Sequence, residues 1–217
     1  MTLQSPYRPV RVTATLDAPL SRWLWLVKWI LAIPHYIVLA FLWIAFLVVS
    51  VIAFFAILFT ERYPRALFDF NLGVLRWSWR VSYYAYAVLG TDRYPPFSLG
   101  PEPDYPARLD IVCPERLSRG LVLVKWWLLA IPHYLVIAFL TGAVHGGWSS
   151  IGLTGLLALI AVITLAFTDK YPRDLFDLVV GLNRWVLRVS AYASLMTDEY
   201  PPFRLDMGGD EPAAGPG

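Results

Sequence analysis

The chain is poor in the residues that carry most protein chemistry. It has one cysteine, Cys113, in 217 residues, so no disulfide can form within it. With only three histidines beside that thiol, no Cys/His cluster stands at the spacing a metal site requires. It contains no phosphate loop, dinucleotide fingerprint or nucleophile motif; "GLTGLL" at 152–157 is an apolar helix start, and the nearby acids do not form a pair suited to acid–base work. Neither a metal nor a cofactor is expected, and nothing asks for an enzyme. Charged residues make up 16% of the chain with a net charge of +2, too small an excess to argue for nucleic acid. The first 22 residues carry Arg8, Arg11, Asp17 and Arg22 without an apolar core, so no cleavable signal peptide is expected there.

What is present is apolar surface. Hydrophobic residues reach 58%, with ten tryptophans, above the half that soluble domains carry. Residues 36–59 hold no charge over 24 positions. At ~1.5 Å per residue they reach about 36 Å, enough to cross a ~30 Å hydrocarbon layer with some tilt.

The second half restates the first. "LSRWLWLVKWILAIPHY" returns as "LSRGLVLVKWWLLAIPHY", "TERYPRALFDFNLGVLRWSWRVS" as "TDKYPRDLFDLVVGLNRWVLRVS", and "TDRYPPFSL" as "TDEYPPFRL". The expected organisation is repeat one over 1–104, repeat two over 105–206 and a disordered tail over 207–217. Each copy opens with an alternating strand, Val10, Val12, Ala14 and Leu16 in the first and Ala107, Leu109, Ile111 and Cys113 in the second. A Trp-rich interfacial helix follows. A spanning helix then starts at Pro34 or Pro132, because proline suits a first helical turn. After a charged turn, a return helix of about 25 residues leads to "YPPF" and a last short strand.

If the return helices also cross, the fold is a mainly α membrane protein with two tandem parallel repeats, about four transmembrane helices and a small cytoplasmic β portion. Ten of the 18 Lys and Arg then flank the strand side and four the far turns, which places the termini in the cytoplasm and the protein in the cell membrane. An even number of passes argues against an inverted-repeat transporter.

The paired "IPHY", "RYPR.LFDF..G..RW..R" and "YPPFSL" signatures resemble the bacterial membrane proteins grouped as domain of unknown function family 4389. The resemblance spans nearly the whole chain. It implies the duplicated architecture, and implies no activity or site residues.

The polar residues inside the apolar frame are the candidates for function. Lys28 and His35 are seven apart but Lys125 and His133 eight apart, and one extra residue rotates a helix by about 100°. The pairing is therefore not expected to be preserved between copies. All four read as interface anchors: the lysines snorkel among tryptophans, and the histidines cap or meet head groups at the start of the spanning helices. A proton relay is the alternative for the histidines. On the return helix Arg65, Asp69, Arg76 and Arg80 fall within about 60° of one another, and Arg173, Asp177, Arg184 and Arg188 reproduce the stripe. Arg76/Arg80 and Arg184/Arg188 are like charges one turn apart and need a counter-charge. The stripe carboxylates Asp69 and Asp177 could supply it across the repeats, or a lipid phosphate could, or permeating anions.

Copy two carries ten more residues, "TGAVHGGWSS" at 141–150. A straight helix from Pro132 to Phe167 would run about 54 Å, so a break is expected at Gly146 and Gly147, with His145, Ser149 and Ser150 in an oligomer contact, an extruded loop or a pore-side feature. The sequence thus reads as a non-catalytic, homo-oligomeric membrane protein holding anionic lipids with Arg76, Arg80, Arg184 and Arg188. A channel or transporter lined by those arginines comes second, and a lipid-modifying enzyme using His35 or His133 third.

Overall fold

The computed structural model describes residues 9–141, 152–168, 171–203 and 205–206. His145, Gly146, Gly147, Ser149 and Ser150 of the insertion, and the tail at 207–217, lie outside the described residues. Copy one runs β1 (Val10–Ala14), α1 (Trp25–Leu31), α2 (Ile33–Thr60) and α3 (Arg65–Ala85). Copy two runs β2 (Ala107–Ile111), α4 (Arg119–Val124), a π-helical segment (Lys125–Leu129), α5 (Ile131–Thr141), α6 (Leu153–Thr168) and α7 (Arg173–Ala193).

Local sequence explains most boundaries. Pro34 sits in the first turn of α2, where its missing N–H costs nothing. Glu61 ends α2 in a left-handed conformation, φ 59°, with its N–H on the Ile57 carbonyl. Ser118 caps α4 by accepting from the Leu121 N–H at 3.4 Å. Among the described residues no strand follows either "YPPF". Pro95, Pro96, Pro101 and Pro103 lack the N–H that a ladder needs, and Arg80 takes the carbonyls of Ser98 and Gly100.

β1 and β2 form an antiparallel ribbon in which Val12 faces Leu109. Ser21 matches Ser118 and Lys28 matches Lys125, an offset of 97 (118 − 21) that also carries Val12 onto Leu109. Equivalent residues therefore meet at the ribbon's centre, and Val10↔Ile111 and Ala14↔Ala107 follow on either side. The inward residues are buried with Phe68, Tyr83, Phe176 and Leu195 in a cluster drawn from both copies.

α3 separates the ribbon from α2. Asn71 and Ser78, seven apart and so on one face, donate to Ser50 Oγ and accept from Trp43 Nε1 of α2. Arg76, Arg80 and Tyr83 occupy the opposite face, where Arg76 Nε donates to the Leu109 carbonyl at 2.8 Å and Tyr83 OH to the Thr15 carbonyl at 2.7 Å. α2 itself buries only a stripe of His35, Leu39, Phe46, Ala53 and Ile57, and exposes Phe41, Ile44, Leu47 and Phe59 by 60% or more. Ile33–Thr60 and Arg119–Ala138 are long and apolar enough to cross a membrane.

The expected plan put the charged turns across the membrane from the strands. Both turns instead touch strand-side segments. The Leu117 N–H donates to the Glu61 carbonyl at 2.8 Å and Arg119 pairs with the Glu61 carboxylate at 3.1 Å, only a few residues beyond β2. In copy two Tyr171 OH donates to the Val88 carbonyl at 2.9 Å, two residues from Gly90, whose carbonyl accepts from Asp17 N–H just past β1. The ribbon thus lies along the length of α3, and its centre meets Arg76 near the helix midpoint.

Candidate functional site

Each copy builds the same clamp, in which the start of the apolar helix grips the "TD.YPPF" segment. Lys28 Nζ meets the Asp92 carboxylate at 2.8 Å and the Thr91 carbonyl at 2.7 Å. Lys125 Nζ meets the Asp198 carboxylate at 2.7 Å and the Thr197 carbonyl at 3.0 Å. The two aspartates also accept the backbone N–H of Ser21, at 2.6 Å, and Ser118, at 2.7 Å. Both lysines are buried, at 2% and 0% exposure, so they do not snorkel. Burial pushes the Lys28 ammonium below its ordinary value, and Asp92 pulls it partly back.

The pairing is preserved despite the unequal spacing. The π-helical segment Lys125–Leu129 takes up the extra residue of "KWWLLA" relative to "KWILA", as a π-turn does when one residue is inserted into a helix. Helical periodicity alone predicted a 100° rotation, and the wider turn cancels it.

His35 and His133 stand in the first turns of α2 and α5, as expected, but both are fully buried rather than turned to head groups. His35 stacks on Phe97 with ring centroids 3.9 Å apart, and His133 on Phe203 at 4.3 Å. Tyr94 and Trp77 close the first cage, Tyr200 and Trp185 the second. The cages are not identical. Trp77 Nε1 donates to His35 Nδ1 at 3.0 Å, whereas Trp185 Nε1 and both ring nitrogens of His133 are buried without a partner among the described residues.

The arginine stripe is turned to the ribbon. Arg76 donates to the Leu109 carbonyl and pairs with Asp110. Its counterpart Arg184 donates to the Val12 carbonyl at 2.9 Å and to the Asp206 carbonyl at 2.8 Å. Each of these arginines thus crosses to the other copy, onto a strand carbonyl rather than a stripe carboxylate. Asp69 pairs locally with the exposed Arg65 at 3.2 Å, so the expected seam of Asp69 with Arg184 or Arg188 is not formed. Arg188 reaches the Asp206 carboxylate at 2.7 Å, while Arg80 among the described residues reaches the carbonyls of Ser98 and Gly100. The chain itself thus supplies acceptors to all four arginines: Leu109 and Asp110 to Arg76, Ser98 and Gly100 to Arg80, Val12 and Asp206 to Arg184, and Asp206 to Arg188. Among the described residues no cluster could hold a metal ion.

Sequence reasoning missed Asp92 and Asp198. The only available signal was that "TD" recurs with the lysine in both copies. No curated protein and no solved structure matches the chain. The profile of domain of unknown function 4389 matches residues 22–98 and 123–204, two tandem segments that contain the lysine and the aspartate of each clamp, and by that match the chain belongs to this family.

Proposed function

We propose that this is a non-catalytic membrane protein that lies flat in one leaflet, with the outer face of α2 in hydrocarbon, the ribbon in water, and anionic lipid head groups held at its rim. The position of the ribbon carries this reading. Were α3, about 30 Å long, upright in the bilayer, the exposed Arg108 and Asp110 would sit near mid-depth. Charges there cost about 2.5–3.5 kcal/mol each even on insertion scales. With the helices in the plane of the membrane, the same residues face water and the apolar face of α2 is covered by lipid. Exposed Arg62 and Arg116 lie beyond the helix ends, where phosphates would be met.

A conduit is less well supported, because Arg80, Arg184 and Arg188 are buried against the ribbon and its flanking segments. An enzyme at His35 or His133 would need an opening, and both imidazoles are sealed by rings. In a second reading Ile33–Thr60 and Arg119–Ala138, both long enough to cross, are upright and the return helices cross back, giving four crossings with cytoplasmic termini. Labelling separates the two. In a Cys113→Ser background, Arg62→Cys and Arg108→Cys should react with a membrane-impermeant maleimide from the same side, whereas four crossings require opposite sides. We propose separately that the chain forms a homo-oligomer, and a single-chain mass in lipid nanodiscs would remove that part.

A further inference from the structure

The two copies close their second stripe arginine differently. From "TD.YPPF" onward the copies are offset by 106 (198 − 92), which matches Asp206 with Gly100. In copy two Arg188 pairs with the Asp206 carboxylate. In copy one that position is a glycine, and Arg80, 2% exposed, makes no ion pair among the described residues. Its two terminal nitrogens rest on carbonyls, and its Nε is buried without an acceptor among the described residues. A cavity of about 140 Å³ stands beside it, lined by Arg76, Arg80 and Arg108 with Glu102 and Asp110. One water needs about 10–15 Å³ of such space, so the cavity accommodates a group of several atoms.

We propose that this cavity is an oxyanion site in which a small phosphate ester supplies to Arg80 the negative charge that Asp206 supplies to Arg188. The charges agree with that assignment. Asp110 already pairs with Arg76, which leaves Arg80 and Arg108 against Glu102, an excess of one positive charge. A phosphate accepts several charge-assisted hydrogen bonds at once and so can serve both arginines. A hydroxyl on the ester carbon skeleton would donate to Glu102. The site lies on the ribbon side of α3, remote from the exposed face of α2, and its chemistry does not depend on how the protein sits in the bilayer. Phosphate could come from a free ester or from a lipid head group, and the test distinguishes them.

The decisive variant is Gly100→Asp, which restores to copy one the carboxylate of copy two. The backbone admits it with a shift of a few tenths of an ångström by Ser98 Oγ, which an added Cβ would crowd at 3.3 Å. Arg108→Gln removes an exposed arginine of the cavity whose side chain makes no ion pair among the described residues. Wild-type protein in nanodiscs of zwitterionic lipid is titrated calorimetrically with inorganic phosphate and with glycerol phosphate. In parallel, discs containing phosphatidylglycerol are examined by native mass spectrometry for retained lipid. Binding of the free ester in zwitterionic discs, lost with Gly100→Asp and weakened about tenfold with Arg108→Gln, identifies a free ligand. Retention of phosphatidylglycerol alone, lost with the same two variants, identifies a head group. Gly100→Asp should also melt no lower than wild type. Absence of binding in both arms at millimolar ligand, or binding that both variants leave unchanged, overturns the site.

Discussion

Val12 and Leu109 face one another at the centre of the ribbon, and the carbonyl of each accepts a hydrogen bond from an arginine of the opposite copy, Arg184 on Val12 and Arg76 on Leu109. The two contacts are equivalent in sequence but not in environment. Arg184 is 1% exposed, whereas the Arg76 side chain keeps 18% of its surface in contact with solvent. Removing a buried charged donor costs more than removing one that water can replace. Arg184→Gln should therefore lower stability by about 2–3 kcal/mol and Arg76→Gln by about 1 kcal/mol, measured by thermal unfolding in detergent. Equal losses would mean that the exposure difference is immaterial.

Lys28→Met should leave Asp92 with only the Ser21 N–H and the Thr91 carbonyl with no donor. Because the Asp92 side chain is 28% exposed, the expected loss is about 1–3 kcal/mol, below the range for a fully buried pair. Adding Asp92→Asn should recover part of it. If the double variant melts lower than the single, the lysine and the aspartate act independently.

The histidine cages predict an asymmetry. His35→Phe strands the Trp77 N–H and should cost about 1–2 kcal/mol. Among the described residues His133→Phe strands nothing that is now paired, since Trp185 Nε1 already lacks a partner there, and it should be neutral or stabilising. The melting temperatures of the two variants in one background decide the matter, and a reversed order would contradict the hydrogen-bond assignment.

Removing Trp127 from the π-helical segment should be tolerated. The shortened sequence between Lys125 and His133 then has the spacing of copy one, an α-helical path already fits that spacing there, and Trp127 is half exposed. The expected change in stability is within about 1 kcal/mol. Loss of the folded protein would show that the wider turn is required for more than register.

The pattern of burial shows what the sequence could and could not convey. Strand alternation, the start of α2 at Pro34 and the arginine stripe are local or periodic, and each was legible because one element's own spacing encodes it. The stripe called for counter-charges, and a group of the other copy was one of the candidates beside a lipid phosphate and permeating anions. It could not reveal that the partner was a strand carbonyl, since main-chain acceptors leave no mark on composition. Nor could spacing reveal that Lys28 and Lys125 occupy equivalent places. The extra residue was visible, and the π-turn that absorbs it depends on Asp198 waiting 73 residues away. The level of the ribbon was hidden for the same reason, because it rests on contacts such as Leu117 with Glu61 that join distant parts of the chain.

The register of the ribbon gives the arginines one more role. Val112 N–H donates to the Pro9 carbonyl and Thr15 N–H to the Pro106 carbonyl. The hydrogen-bonded pairs therefore fall at 9, 11, 13 and 15, and Val12 and Leu109, between them, direct their carbonyls away from the partner strand. Those outward carbonyls are the ones that Arg184 and Arg76 occupy. A two-stranded ribbon has two open edges that invite further strands, and here a guanidinium sits on each edge at its midpoint. The arginines thus keep a third strand from adding on either side, and their loss would expose a template for aggregation as well as loosen the fold.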